Sequence, residues 1–146
     1  MDVRLGQEFS QVVPVYVNVD PTDPTTFRTE QVAEGKFVLK PGDMVLSSLV
    51  EIVGLPNDIS AKLLGCSSLG RLGLDNSSCS GWIDPGFSGS ICIELFNHSR
   101  SPMVLTSGMR IGQIIFFKHV KCQEDYSKRK GSKYMNQQGV QGSRGV

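Results

Sequence analysis

The stretch Gly81-Trp82-Ile83-Asp84-Pro85-Gly86-Phe87-Ser88-Gly89-Ser90-Ile91-Cys92-Ile93-Glu94-Leu95-Phe96-Asn97 joins a turn to an alternating strand. Asp-Pro-Gly is strong turn chemistry: proline presets φ, glycine tolerates positive φ, and the aspartate can bond its own backbone two residues on. Beyond the turn, Ile91, Ile93 and Leu95 fall on one face of an extended chain and Cys92, Glu94 and Phe96 on the other. The pattern predicts a strand with one face in a core.

The same alternation of short apolar runs and breakers extends in both directions. Phe37-Val38-Leu39 runs into Lys40-Pro41-Gly42-Asp43, and Met44 to Val53, Ile59 to Leu64, Met103 to Thr106 and Ile111 to Val120 continue the series. Val12 to Val19 is β-branched and aromatic, but Pro14 marks it as an edge strand or a bulge. Gly54-Leu55-Pro56, Gly65, Pro102 and Gly108 keep the runs short, and one helical turn is expected at Ser67 to Leu72. Many short strands in one chain predict an all-β sandwich, barrel or jelly roll.

A chain of 146 residues fits one domain. With 39% hydrophobic and 20% charged residues it can bury a core and lies far from a disordered composition. Fifteen basic residues against 14 acidic ones leave a net charge of +1, so no broad footprint points to nucleic acid or a membrane surface. No apolar run approaches the roughly 18 to 20 residues of a membrane span, and Met1-Asp2-Val3-Arg4 is no signal peptide. A cytoplasmic protein is expected. Cys66, Cys79, Cys92 and Cys122 include no Cys-x-x-Cys pair and, apart from Cys122 three residues after His119, no cluster with a histidine that suggests a metal cage, which predicts free thiols in a reducing compartment and no metal held by protein side chains.

Four segments carry chemistry-bearing residues, each with a bland alternative. Gly65-Cys66-Ser67-Ser68-Leu69-Gly70-Arg71 places hydroxyls and an arginine at a helix start, as a phosphate cradle or as a capped surface turn. Asp84 lines a pocket or merely holds its turn. Glu94 is a sheltered carboxylate suited to proton transfer or a polar residue on a wet face. Lys133, Tyr134 and Gln137 lie in a polar segment, residues 123–146, whose composition by itself reads as a flexible tail.

In this order the four segments resemble the dCTP deaminase family, including its bifunctional deaminase and dUTPase branch. The resemblance runs from Val3-Arg4-Leu5-Gly6 to Ser143-Arg144 and takes in Ser67 to Leu74, Ile83 to Gly89, Ile93-Glu94-Leu95, Gly108-Met109-Arg110-Ile111-Gly112-Gln113, and Ser132-Lys133-Tyr134 with Gln137-Gln138-Gly139. It implies a distorted jelly-roll subunit, residues 1–122, with a tail, 123–146, closing over the active site. It further implies a homotrimer with sites at subunit interfaces, acting on dCTP or dUTP with Mg²⁺ carried in by the triphosphate.

In that picture Ser67, Ser68, Gly70 and Arg71 meet the phosphates, and Ser67 and Arg71 also reach toward the reacting centre. Ser80, Gly81 and Trp82 read the pyrimidine, and Asp84 holds the sugar or the water for dUTP cleavage. Glu94 activates water for attack at C4 of cytosine, and Lys133, Tyr134 and Gln137 close over the nucleotide. A plain dUTPase usually has an apolar residue at the position of Glu94, and Gly81-Trp82 looks like the bifunctional branch. The sequence also lacks the Pro-Cys-x-x-Cys of zinc-dependent deaminases.

It departs from the family at three places: Cys66 replaces a phosphate-binding arginine, Ser77 and Ser80 replace His and Ala, and the chain is expected to be an N-terminally shortened relative. Three readings stay open: a dCTP deaminase that also releases pyrophosphate to give dUMP, a dUTP diphosphatase only, and a noncatalytic nucleotide-binding relative.

Overall fold

The computed structural model describes residues 1–12, 29–76 and 81–144. The expected run from Val13 to Val19 lies outside those residues, as do Ser77 and Ser80. In chain order the elements are β1 (Asp2–Arg4), β2 (Glu8–Val12), β3 (Thr29–Glu34), β4 (Lys36–Leu39), β5 (Met44–Gly54), β6 (Ile59–Gly65), α1 (Ser67–Arg71), β7 (Leu74–Asp75), β8 (Trp82–Ile83), β9 (Ser88–Asn97), β10 (Met103–Thr106) and β11 (Arg110–Lys118).

They form an all-β subunit of a four-stranded sheet in the order β1-β11-β6-β8, a five-stranded sheet in the order β3-β2-β5-β9-β7, and the small pair β10-β4. The ladders are antiparallel. Alternation does what the sequence requires of it. Ile93 and Leu95 of β9, Val45 of β5 and Ile111 and Ile114 of β11 are buried together in one core, while Cys92, Glu94 and Phe96 are only half-buried.

One polar residue marks where β9 ends, and one bulge interrupts its pairing with β5. At its far end the Asn97 side chain is fully buried, and its amide donates to the carbonyls of Leu39 (3.0 Å) and Ser101 (2.9 Å). Its Oδ1 accepts from the Ser99 N–H (2.9 Å) and hydroxyl (2.8 Å), so a buried amide is satisfied throughout, as burial demands. At the near end a bulge in the β5 ladder, between Ser48 and Ile52, lets β5 also reach Leu5 at the end of β1.

Residues after Lys118 do not leave the domain. The N–H of Asn136 donates to the Ser88 carbonyl (2.7 Å), the N–H of Ser90 donates to the Gln137 carbonyl (2.9 Å), and the Gly139 N–H donates to the Ser90 hydroxyl (3.2 Å). The polar composition that reads as a flexible end is therefore a backbone-paired strap. Its polarity satisfies the free edge of β9 rather than solvent alone.

Gly89 makes this contact possible. Its φ is +144°, and a Cβ there would lie 2.9 Å from the Gln137 nitrogen. Gly89→Ala is expected to lower stability by about 1 to 3 kcal/mol in urea denaturation and to abolish hydrogen-exchange protection of the Asn136 and Ser90 amides. Unchanged protection would show that the strap does not depend on this glycine.

Candidate active site

A cavity of about 550 Å³ opens between the two sheets and the strap. Strand β5 contributes Met44 and Leu46, and β9 contributes Cys92 and Glu94. The turn segment contributes Gly81, Trp82, Ile83, Asp84 and Phe87, and the strap contributes Tyr126, Tyr134, Gln137 and Gln141. The register explains the grouping: Leu46 lies opposite Glu94 and Ser48 opposite Cys92, so a side chain on this side of β9 meets its β5 neighbour. A carboxylate thus stands among apolar and aromatic groups, partly screened from water.

Asp84 is held at both oxygens. Oδ1 accepts from the Trp82 indole N–H at 3.2 Å, and Oδ2 accepts from the Arg129 guanidinium at 3.0 Å. Tyr126 is buried, its ring centroid 5.7 Å from that of Phe87, and its hydroxyl accepts from the Tyr134 N–H at 3.0 Å. Gln137 is buried, and its amide donates to the Ser90 carbonyl at 2.5 Å. Its Oε1 has no hydrogen-bond partner among the described residues. Such an acceptor costs about 1 to 3 kcal/mol unless a donor arrives.

The expected site residues divide into two groups. Glu94, Asp84, Gly81, Trp82, Tyr134 and Gln137 come together in this cavity. Ser67 and Gly70 line a second cavity of about 450 Å³ with Cys66, Asn76 and His98, and no residue borders both. Ser68 and Arg71 are exposed on α1 and border neither. Lys133 does not border the main cavity, and its carbonyl accepts from the Arg144 guanidinium.

Within one chain, therefore, the serine-arginine loop and Glu94 do not share a cavity. Sequence reasoning missed Tyr126, Cys92, Gln141 and Arg129. The pairing of Gln137-Gln138-Gly139 with Lys133-Tyr134 was legible, but Tyr126 and Arg129 stand in a basic run with no motif of their own.

The cavity wall also sets the chemistry of Cys92. Burial pushes its thiol above the ordinary value of 9.0, opposed by the hydrogen bond to Gln141 and assisted by the nearby Glu94 carboxylate. The Cys92 sulfur lies 3.5 Å from the Gln141 carbonyl.

Comparisons with known proteins agree on one relationship. A family model described as dCTP deaminase-like matches residues 1–119. The chain is 46% identical over 151 residues to the dUMP-forming dCTP deaminase of Leifsonia xyli, covering 99% of this chain and 75% of that protein. It is 43% identical over 150 residues to the enzyme of that name from Dictyoglomus thermophilum, covering 99% and 77% respectively. Among solved structures it is similar to the 2'-deoxycytidine 5'-triphosphate deaminase of Agrobacterium tumefaciens, with a TM-score of 0.61 and 25% identity over 80% of this chain and 36% of that one. It thus spans about a third of that deaminase's chain. The native EIAV dUTPase shares the fold, with a TM-score of 0.53 at 19% identity over 82% of this chain and 92% of that one.

A thiol with a raised pKa binds its proton more tightly, so at pH 8 it holds less thiolate than a free cysteine. Alkylation of Cys92 at pH 8 is expected to be slower than that of a cysteine peptide and to rise as pH passes above 9.0. Equal rates, followed by peptide mass mapping, would refute this.

Proposed function

This chain belongs to the dCTP deaminase-like family, and on that premise we propose that it is a hydrolase converting dCTP to dUMP in the cytoplasmic pyrimidine deoxynucleotide pool. The observation that carries the reading is a carboxylate, Glu94, standing in a cavity roofed by aromatic and amide side chains, with a second carboxylate, Asp84, in the same wall.

In the first step Glu94 takes a proton from water as the oxygen adds to C4 of cytosine. The C4–N bond then breaks, the proton passes to the departing amine, and ammonia and a uracil carbonyl result. In the second step water attacks the α-phosphorus while Asp84 accepts its proton, the bond to the bridging oxygen breaks, and pyrophosphate leaves with that electron pair. The cavity's apolar walls support the first step because low polarity strengthens interactions with developing charge. Gly81 and Trp82 border the base. Tyr134 and Gln137 close over the nucleotide with Lys133, and the unpartnered Gln137 Oε1 suits a donor on the substrate.

Among the described residues that line this cavity there is no lysine or arginine to meet a triphosphate. We assign that role to Ser67, Ser68, Gly70 and Arg71 of a neighbouring copy in a homotrimer, with Mg²⁺ arriving as part of the substrate. Separation of the two cavities in one chain supports a shared site. So does the apolar outer face on which Trp82, Ile115 and Phe117 are exposed, Trp82 stacking on Phe117 with centroids 6.0 Å apart.

Incubating the protein with dCTP and Mg²⁺ is expected to release ammonia and dUMP. Glu94→Gln is expected to cut ammonia release by about 10²- to 10⁴-fold while dUTP cleavage continues. Ammonia release that survives this change would sink the role of Glu94, and cleavage of dUTP without any ammonia from dCTP would leave a diphosphatase. The shared site has its own check: Ser67→Ala and Glu94→Gln proteins, each inactive alone, should regain deaminase activity when their subunits are mixed by unfolding and refolding together. Light scattering should return three chains of 15.9 kDa.

A further inference from the structure

We propose that Arg129 is a positioning residue for the second step: it fixes the Asp84 carboxylate so that water for pyrophosphate release is met in one orientation. This rests on the two-step reading above.

Asp84 is met from two directions along the chain. The Asp84 turn and the start of the strap are locked together, because the Tyr126 N–H donates to the Pro85 carbonyl at 2.8 Å. A Cβ on Gly86, whose φ is +78°, would lie 2.7 Å from the Asp125 carboxylate. From that anchor the chain turns back on itself, with the Arg129 N–H donating to the Asp125 carbonyl at 2.9 Å. The Arg129 guanidinium lies 5.0 Å above the Tyr126 ring and donates to Asp84 Oδ2 at 3.0 Å. Trp82 takes the other oxygen at 3.2 Å. With both oxygens tied, the carboxylate cannot rotate freely, and it borders the cavity in that one orientation.

The ion pair does little for folding. Half of the Arg129 side chain and a third of the Asp84 side chain remain accessible (51% and 31%), and exposed pairs contribute little to stability. Its effect is therefore on geometry, where a small misplacement of a catalytic group costs rate steeply. Glu94 belongs to β9 and not to this turn, so loss of Arg129 is expected to spare the deamination step.

The test is the partition of products from dCTP. Arg129→Ala is expected to lower pyrophosphate release about tenfold or more while ammonia release changes by less than about threefold, so that dUTP accumulates. Arg129→Lys should restore part of the dUMP yield, and adding Arg129→Ala to Asp84→Asn should cost nothing further, since the two act as a unit.

An unchanged ratio of dUMP to dUTP would overturn the assignment. So would an equal fall in both products accompanied by lost hydrogen-exchange protection at Asn136, which would make Arg129 a strap anchor only. If the unaltered protein releases ammonia but forms no dUMP from either nucleotide, the two-step reading fails and this assignment falls with it.

Discussion

Strand β9 has two edges and two faces, and each has to be occupied by something different. One edge pairs with β5 from Met44 to Gly54, and one face packs Ile93 and Leu95 into the core. The second edge is covered by β7 only near Phe96 and Asn97. Its first half would otherwise expose the Ser88 and Ser90 backbone groups, the kind of open edge that invites wrong pairing. The strap supplies the missing partner, and the cavity exists because the strap must cross the second face, where Cys92 and Glu94 stand, to reach that edge. Gly89 and Gly139 are where the crossing is tightest, since a Cβ on either would meet Gln137 or Glu8 at under 3 Å.

What could be read from the sequence follows from this arrangement. Long runs with strict alternation, such as those around Leu95, Val45 and Ile114, announced their strands because one face is apolar and the other is not. Strands β1, β7 and β8 have two or three residues each, too few to show any period, and β3 with Thr29-Glu30-Gln31-Val32-Ala33-Glu34 is too polar to signal burial. The strap defeated composition for a different reason. The Gln137 side chain and the backbone N–H groups of Gly139 and Val140 bond distant residues, Ser90 and Glu8, and partners so far away in sequence leave no local trace.

The site was legible as residue types and not as an assembly. Glu94 stood out because a carboxylate at an alternating position between Cys92 and Phe96 conflicts with local apolarity, and such conflicts mark functional positions. The two-point hold on Asp84 could not be foreseen, because Trp82 and Arg129 reach it from opposite directions along the chain. Nor could the separation of the serine-arginine loop from Glu94, which is set by the placement of α1 between β6 and β7.

That separation bears on how a chain of net charge +1 could hold a substrate with several negative charges. Attraction by the whole protein is negligible at this charge, so the phosphates have to be met by a few local donors. On the reading proposed here those donors come from a neighbouring copy, and Cys66 removes one of them, since a half-buried thiol cannot offer the paired N–H groups of a guanidinium. The remaining grip then concentrates on Arg71, whose side chain is exposed on α1 and free of any helix residue in front of it that would neutralise it. A phosphate grip resting on one guanidinium is weaker and more sensitive to salt than one resting on two. On the same reading the strap carries more of the binding through the base and sugar, so that the burial of Tyr126 and Gln137 would serve the substrate as well as the edge of β9.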